Sequence, residues 1–94
     1  MEGLLDRLDE IGRLPYDWNG YQAEPFSQRL IDKCKEILLC LQAAPSIYPT
    51  GRKSIQFQYR TDDKSYLEFE IFEDKVCGLW VPKSKKRQYM SIVI

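Results

Sequence analysis

The side chains available for chemistry in this chain are mainly carboxylates, because the sequence contains no histidine. Histidine is the commonest general base and metal ligand, so its absence removes the usual routes to catalysis and metal binding. Glu68 and Glu70 are two residues apart in an alternating segment, which places both carboxylates on one face of a strand. Such a pair could serve in acid–base chemistry or hold a divalent cation. No third ligand and no paired nucleophile accompanies it. We therefore interpret the pair as a solvated acidic face and predict no catalytic residue, no metal site and no enzyme activity.

The three cysteines, Cys34, Cys40 and Cys77, form no CxxC pair. An odd number without such pairing is typical of a reducing compartment. Cys34 and Cys40 are six residues apart, about 240° around a helix, so they cannot hold one metal from a single helical face. We expect Cys34 and Cys77 to be small core residues and predict no cofactor.

Basic residues are concentrated late in the chain, at Lys83, Lys85, Lys86 and Arg87. This segment has two interpretations: a loop that contacts nucleic-acid phosphates, with Arg52 and Lys53 adding to it, or a solvated hairpin tip. The net charge of zero and the pI of about 6.2 argue against the first.

Charge is also segregated along the sequence. Residues 62–75 contain six acidic and two basic residues, whereas residues 76–94 contain four basic residues and no acidic one. Opposed patches on a neutral molecule can orient it toward a charged protein partner or toward a second copy.

Three aromatic residues, Tyr16, Trp18 and Tyr21, fall within six positions beside the turn pair Asn19-Gly20. Trp18 either plugs the seam between helices and sheet or belongs to a recognition loop with the two tyrosines.

The segment Leu14–Pro25 resembles a Trp-(Asp/Asn)-Gly-x-x-Ala-x-Pro signature of small bacterial and phage-encoded proteins of uncharacterised function. In those proteins a helix follows, then a Pro-Thr loop, here Tyr48–Gly51, and strands that begin near Ile55. The resemblance covers residues 14 to 72 and implies a helix-then-meander domain, often encoded near mobile elements or defence genes. It implies no catalytic residue.

Hydrophobic spacing predicts two helices in the first half of the chain. Apolar residues recur every three or four positions over 3–13 and again over 28–43. Ser27 is a favourable N-cap for the second helix, and Phe26 and Ile31 are placed to form a hydrophobic staple.

The period changes to two residues in the second half. It predicts strands over 54–60, 66–73, 76–81 and 88–94, preceded by a loop over 46–53. The short connections predict an antiparallel meander. We therefore predict an α+β fold, a single domain over 1–94, in which two N-terminal helices pack on one face of a four-stranded antiparallel meander.

The last predicted strand is apolar, and an apolar strand at a sheet edge is a surface that proteins usually protect. We expect it to mediate association through Tyr89 and Val93, with the basic segment setting orientation. No signal peptide and no membrane-spanning segment is evident, so we expect a cytoplasmic protein.

Two functions fit these observations. The first is a non-enzymatic binding protein, of the antitoxin, immunity or phage anti-defence kind, that occupies a larger protein partner; a homodimer through the last strand is also expected. The alternative is a nucleic-acid-binding module that uses the basic segment and sheet aromatics such as Tyr66 and Phe72.

Overall fold

The computed structural model describes residues 2–60, 64–82 and 88–92. Two helices are followed by five strands: α1 (Glu2–Gly12), α2 (Gln28–Cys40), β1 (Ser46–Pro49), β2 (Ile55–Arg60), β3 (Tyr66–Ile71), β4 (Val76–Val81) and β5 (Gln88–Ile92). The predicted α+β fold, with N-terminal helices and an antiparallel meander, is confirmed. Neither helix of the described part combines the length and the apolar composition needed to cross a bilayer.

The sheet contains one strand more than the sequence predicts. Residues 46–53 were expected to form a loop, but β1 pairs antiparallel with β2 and extends the sheet to the order β1-β2-β3-β4-β5. Ile47 lies opposite Phe57, and both side chains are buried. Four residues that include a proline are too few to show an alternating pattern, so pairing with β2 decides this strand.

Helix α1 packs beside α2 and over the β1 side of the sheet. Leu8 and Ile11 are buried, as the helical spacing predicts. The Lys35 ammonium contacts the Asp9 carboxylate at 2.5 Å between the two helices. The Arg7 guanidinium donates to the Ile47 carbonyl at 3.5 Å. This last contact ties α1 to the outermost strand.

Helix α2 begins as predicted. The Ser27 hydroxyl accepts a hydrogen bond from the Leu30 amide at 3.1 Å, and both Phe26 and Ile31 are buried. The helix ends at Cys40, three residues earlier than predicted. Leu41 adopts an extended backbone (φ −88°, ψ 141°), so the chain leaves the helix there.

The hydrophobic core lies between the helices and one face of the sheet. Its strand residues come from β1, β2, the end of β3 and the start of β4: Ile47, Ile55, Phe57, Ile71 and Val76. Phe57 and Leu38 are fully buried, whereas Phe69 is half-buried against the core.

Cys77 does not belong to the core. It lies opposite Glu70, on the face of the sheet away from the helices, and is only half-buried. The expectation of a core residue was wrong because Val76, one position earlier, occupies the core-facing side. The period of two then turns Cys77 outward. Cys34, by contrast, is buried as expected.

The two ends of the sheet are formed by different residues and turns. Ile55, Ile71, Val76 and Ile92 lie side by side at one end, which we call the upper end. Both the β1–β2 turn and the β3–β4 turn lie there. Arg60, Tyr66 and Val81 lie at the lower end.

Candidate functional site

The segment Pro15–Pro25, which we call the aromatic loop, is held by its own hydrogen bonds. The Asp17 amide donates to the Ala23 carbonyl at 2.8 Å, and the Gly20 amide donates to the Asp17 carbonyl at 3.1 Å. The Asp17 carboxylate accepts from the Gln22 amide at 2.6 Å. Asp17, Gly20 and Gln22 all have positive φ, between 62° and 78°. These bonds compensate for a backbone conformation that only glycine adopts readily.

Asn19 completes this internal bonding. Its side-chain oxygen accepts from the Tyr21 amide at 2.8 Å and from the Ala23 amide at 3.3 Å. Two side-chain acceptors, Asp17 and Asn19, therefore satisfy three backbone donors within the loop. The loop has a defined shape before any partner binds.

The three aromatic residues of the loop have different environments. Trp18 is half-buried and packs against the core, with its ring 5.8 Å from that of Phe26 between centroids. Its indole Nε1 is buried and has no hydrogen-bond partner within the described part of the chain. Tyr16 and Tyr21 are 56% and 87% exposed. Trp18 thus anchors the loop, and the two tyrosines face solvent.

The β1–β2 turn, residues 50–54, is the second part of the site. The Thr50 hydroxyl lies 2.6 Å from the Ser54 hydroxyl and accepts from the Arg52 amide at 3.1 Å. The Glu70 carboxylate accepts from the Ser54 hydroxyl at 2.5 Å and from two nitrogens of Arg52 at 2.9 and 3.0 Å. Arg52 therefore pairs with a carboxylate of β3 at the upper end. Lys83, Lys85, Lys86 and Arg87 lie outside the described residues, so the expectation that Arg52 adds to them stays a prediction.

The aromatic loop and the β1–β2 turn touch each other. A Cβ atom placed on Gly51 would lie 2.9 Å from the Asn19 side-chain nitrogen, closer than real Cβ contacts allow. Gly51 therefore permits the approach of Asn19. The aromatic loop and the β1–β2 turn, far apart in sequence, therefore form one surface at the upper end.

A cleft of about 590 Å³ opens beside this surface. It lies between the end of the aromatic loop, the start of α2 and the two upper turns. Its apolar floor includes Phe26, Leu30 and Phe72. Charges of both signs line it: Arg29, Arg52, Lys53, Glu24, Glu73 and Asp74.

The two carboxylates on the polar face of the sheet, those of Glu68 and Glu70, accept hydrogen bonds from neighbouring side chains. The Tyr66 hydroxyl donates to Glu68 at 2.6 Å, and the Arg60 guanidinium lies 5.5 Å from the centre of the Tyr66 ring. Burial and the hydrogen bond to Glu68 raise the pKa of Tyr66 well above its ordinary value. Glu70 is bound by Arg52 and Ser54, so the two glutamates have separate hydrogen-bond partners.

Within the ranges that the structure describes, no group of three or more cysteine and carboxylate side chains is arranged to hold a metal ion. Burial raises the pKa of the Cys34 thiol to about 12. A thiol with that pKa is almost entirely protonated near neutral pH and is a poor nucleophile.

The predicted association residues are only partly covered by the structure. Lys83, Lys85, Lys86, Arg87 and Val93 lie outside the described residues. Tyr89 lies in β5 opposite Leu79. The expectation that the last strand lies at a sheet edge agrees with the strand order, in which β4 is the one described strand that pairs with β5.

Sequence reasoning missed the polar cluster of Thr50, Ser54 and Glu70 and the contact of Asn19 with Gly51. The Pro-Thr-Gly segment was the available signal, but its distance from Asn19 in sequence concealed the contact. Comparison of the chain with family models, curated proteins and solved structures found no match.

Proposed function

We propose that this chain is a non-enzymatic binding protein that acts by occupying a larger protein partner, as antitoxins, immunity proteins and phage inhibitors of host defence do. The observation that carries the proposal is the aromatic loop. It presents Tyr16 and Tyr21 to solvent on a backbone fixed by the Asp17 and Asn19 side chains.

Tyrosines presented in this way are suited to protein recognition. A tyrosine ring supplies a large contact area with two rotatable side-chain angles, so little entropy is lost when it is buried. A loop that is already ordered loses little more on binding. Tyr21, 87% exposed at the centre of such a loop, has the character of a binding hot spot.

The cleft beside the loop supports a protein partner. Its apolar floor can receive a side chain, and its rim carries Arg29 and Lys53 as well as Glu24 and Asp74. A rim of both signs complements a protein surface of mixed charge. It does not complement a polyanion, which needs a continuous basic surface.

The alternative function, nucleic-acid binding through the sheet aromatics, is less well supported. Tyr66 shares its face with Glu68 and Glu70, whose negative charges would oppose a phosphate backbone. The Tyr66 hydroxyl is bound to Glu68, and Arg60 already lies against the ring. We therefore favour the protein partner.

The proposal is tested by capture from nuclease-treated lysate of the source cell with wild-type, Tyr16→Ala, Tyr21→Ala and Tyr48→Ala proteins. Tyr48 is the control, since it is 46% exposed but lies on β1, outside the aromatic loop. We expect one protein to be retained by wild type and Tyr48→Ala and lost by Tyr21→Ala. With that protein purified, Tyr21→Ala should raise the Kd about tenfold or more by calorimetry, as hot-spot truncations do.

Equal binding by Tyr16→Ala, Tyr21→Ala and wild type would rule out the aromatic loop as the contact surface. Retention of a protein from untreated lysate but not from nuclease-treated lysate, together with a steep fall in oligonucleotide affinity with salt, would favour the nucleic-acid alternative.

A further inference from the structure

Lys53, in the β1–β2 turn, has a left-handed backbone that its own side chain does not stabilise. Its φ is 60°, in the region that glycine adopts readily and lysine seldom occupies. Asp17 shares this conformation, but its carboxylate accepts from the Gln22 amide and so stabilises the loop. The Lys53 side chain is exposed and has no hydrogen-bond or ion-pair partner among the described residues. Unfavourable backbone conformations of this kind are concentrated at functional sites, so Lys53 is a candidate contact residue.

The position of Lys53 at the cleft distinguishes it from Lys64, the other described lysine with positive φ. Lys64 (φ 67°) lies between β2 and β3, at the lower end of the sheet, whereas Lys53 lines the cleft together with Arg29. Arg29, near the start of α2, is also exposed and has no hydrogen-bond or ion-pair partner within the described part of the chain. Two unpaired cations therefore lie at the rim of a cleft whose floor is apolar.

Most of the other charges around the cleft offset one another within the described structure. The Arg52 guanidinium forms an ion pair with the Glu70 carboxylate at 2.9 Å. The β3–β4 turn carries two carboxylates, and two ammonium groups lie at the same turn. One ammonium donates to the Glu73 carbonyl at 3.1 Å, and the other lies 4.7 Å from the centre of the Phe72 ring. The four charged residues of this turn and its contacts are Glu73, Asp74, Lys33 and Lys75.

The remaining charges of the cleft do not cancel. They are the cations of Arg29 and Lys53 and the single carboxylate of Glu24, so the described groups have one positive charge in excess. A concave site with an apolar floor and one excess cation complements a monoanion attached to an apolar group. A phosphate ester carries nearly two negative charges near neutral pH, more than this excess neutralises.

We infer that the cleft binds a carboxylate side chain of the protein partner and that Lys53 determines this specificity. The partner segment has an aspartate or glutamate close to a large apolar residue. The carboxylate pairs with Lys53, the charge of Arg29 adds to the attraction, and the apolar side chain packs against Phe72. The inference rests on the proposed function, since it specifies the chemistry of the same partner. A partner bound at the aromatic loop reaches the cleft directly, because the loop touches the β1–β2 turn where Asn19 meets Gly51.

The test uses the whole, isotopically labelled chain and synthetic peptides, with binding followed by NMR of the backbone amides. The probe is acetyl-Gly-Leu-Gly-Glu-Gly-amide, whose leucine and glutamate point to the same side when the peptide is extended. The control peptide has glutamine in place of glutamate. We expect shifts at Arg29, Leu30, Lys53 and Phe72 with a Kd of about 1 mM, and a Kd about fivefold higher for the control peptide. Unchanged amides at about 10 mM probe, or equal binding of both peptides, overturns the inference.

Lys53→Gly tests the role of the lysine without removing a structural contact. Because glycine suits the left-handed backbone, this variant should melt at the wild-type temperature or above it, yet its Kd for the glutamate peptide should rise about fivefold. Lys53→Asn, which also tolerates this backbone conformation, provides a second variant. Lys64→Gly is the matched control, since it makes the same change at a left-handed lysine away from the cleft, and it should bind as wild type does. Lys53 variants that bind like Lys64→Gly overturn the role assigned to Lys53.

A third peptide, with phosphoserine in place of glutamate, separates the two kinds of anion. Tighter binding of the phosphoserine peptide than of the glutamate peptide overturns the assignment of a carboxylate. These results are separable from the proposed function. Peptide binding at the cleft without a protein retained from lysate would contradict the proposed function alone, whereas a retained protein without peptide binding would contradict this inference alone.

Discussion

Two thiols on the same helix, six residues apart, illustrate how burial sets the chemistry of a residue type. Cys34 is fully buried on the core-facing side of α2, whereas Cys40 is exposed at the end of the helix. Burial disfavours the thiolate and raises the pKa of Cys34 to about 12, and this effect exceeds the opposing effect of the nearby Lys33 charge. The two cysteines therefore differ in their access to solvent although both lie on α2.

We predict that iodoacetamide at pH 8 modifies Cys40 rapidly and leaves Cys34 unmodified in the folded protein, as judged by mass spectrometry of peptides. Cys40→Ser should remove the fast reaction, and urea should expose all three thiols. The unfolded Cys34 thiol ionises near its ordinary pKa of 9.0, so this thiol's contribution to stability is lost as pH rises from about 9 to about 12. Modification of Cys34 as fast as Cys40 would contradict its burial.

Helix α2 shows how one residue can join two elements. The Ser27 hydroxyl accepts from the Leu30 amide and donates to the Glu73 carboxylate at 2.6 Å, so it caps the helix and binds the β3–β4 turn. The Lys33 ammonium reinforces the same junction by donating to the Phe72 and Glu73 carbonyls at 2.7 and 3.1 Å. The start of α2 is thereby fixed to the upper end of the sheet, where the cleft opens.

We predict that Ser27→Ala lowers the free energy of unfolding by about 1–2 kcal/mol, toward the upper part of the range for a lost N-cap, because the bond to Glu73 is lost as well. Urea denaturation provides the measurement. Ser46→Ala, at an exposed position of β1, serves as the control and should change stability by about 0.5 kcal/mol or less. A Ser27→Ala curve that overlays the control would show that the cap contributes nothing.

At the scale of the whole molecule, the helices and the hydrophobic core cover only part of the sheet. The helices cover the sheet from β1 to the start of β4, while Leu67 and Trp80 remain half-buried and outside the core. The aromatic loop and the cleft lie at the upper end, and β5 is the last strand of the sheet among the described residues.

We predict that Phe57→Ala lowers the free energy of unfolding by about 3–5 kcal/mol, because its fully buried ring leaves a cavity between the helices and β2. Phe69→Ala should cost less, since that ring is only half-buried. Thermal and urea unfolding of both variants measure the difference. A Phe57→Ala protein that melts with wild type would contradict the two-layer packing, since such a loss is a large part of the stability of a small domain.

The aromatic loop marks the limit of what its own sequence could predict. Asn19-Gly20 predicted a turn, and Gly20 has the expected positive φ. Asp17 and Gln22 also have positive φ, although neither is a glycine. Their backbone is stabilised by hydrogen bonds from within the loop, and those bonds exist only once the loop has closed. Whether Trp18 would be buried was equally open, since an indole suits a core or a recognition surface.

The sequence by itself determined the elements whose pattern is local. Helical spacing and the Ser27 cap defined α2, and alternation defined β2, β3 and β4, because each of these signals lies within a few residues of the element it specifies. Tertiary structure alone decided what depends on distant partners. Ser46–Pro49 forms a strand because it pairs with β2, and Asn19 contacts Gly51. Arg52 forms an ion pair with Glu70, and β5 is the last of the described strands in the sheet. These contacts join residues far apart in the chain, and only the packing of the helices on the sheet brings them together.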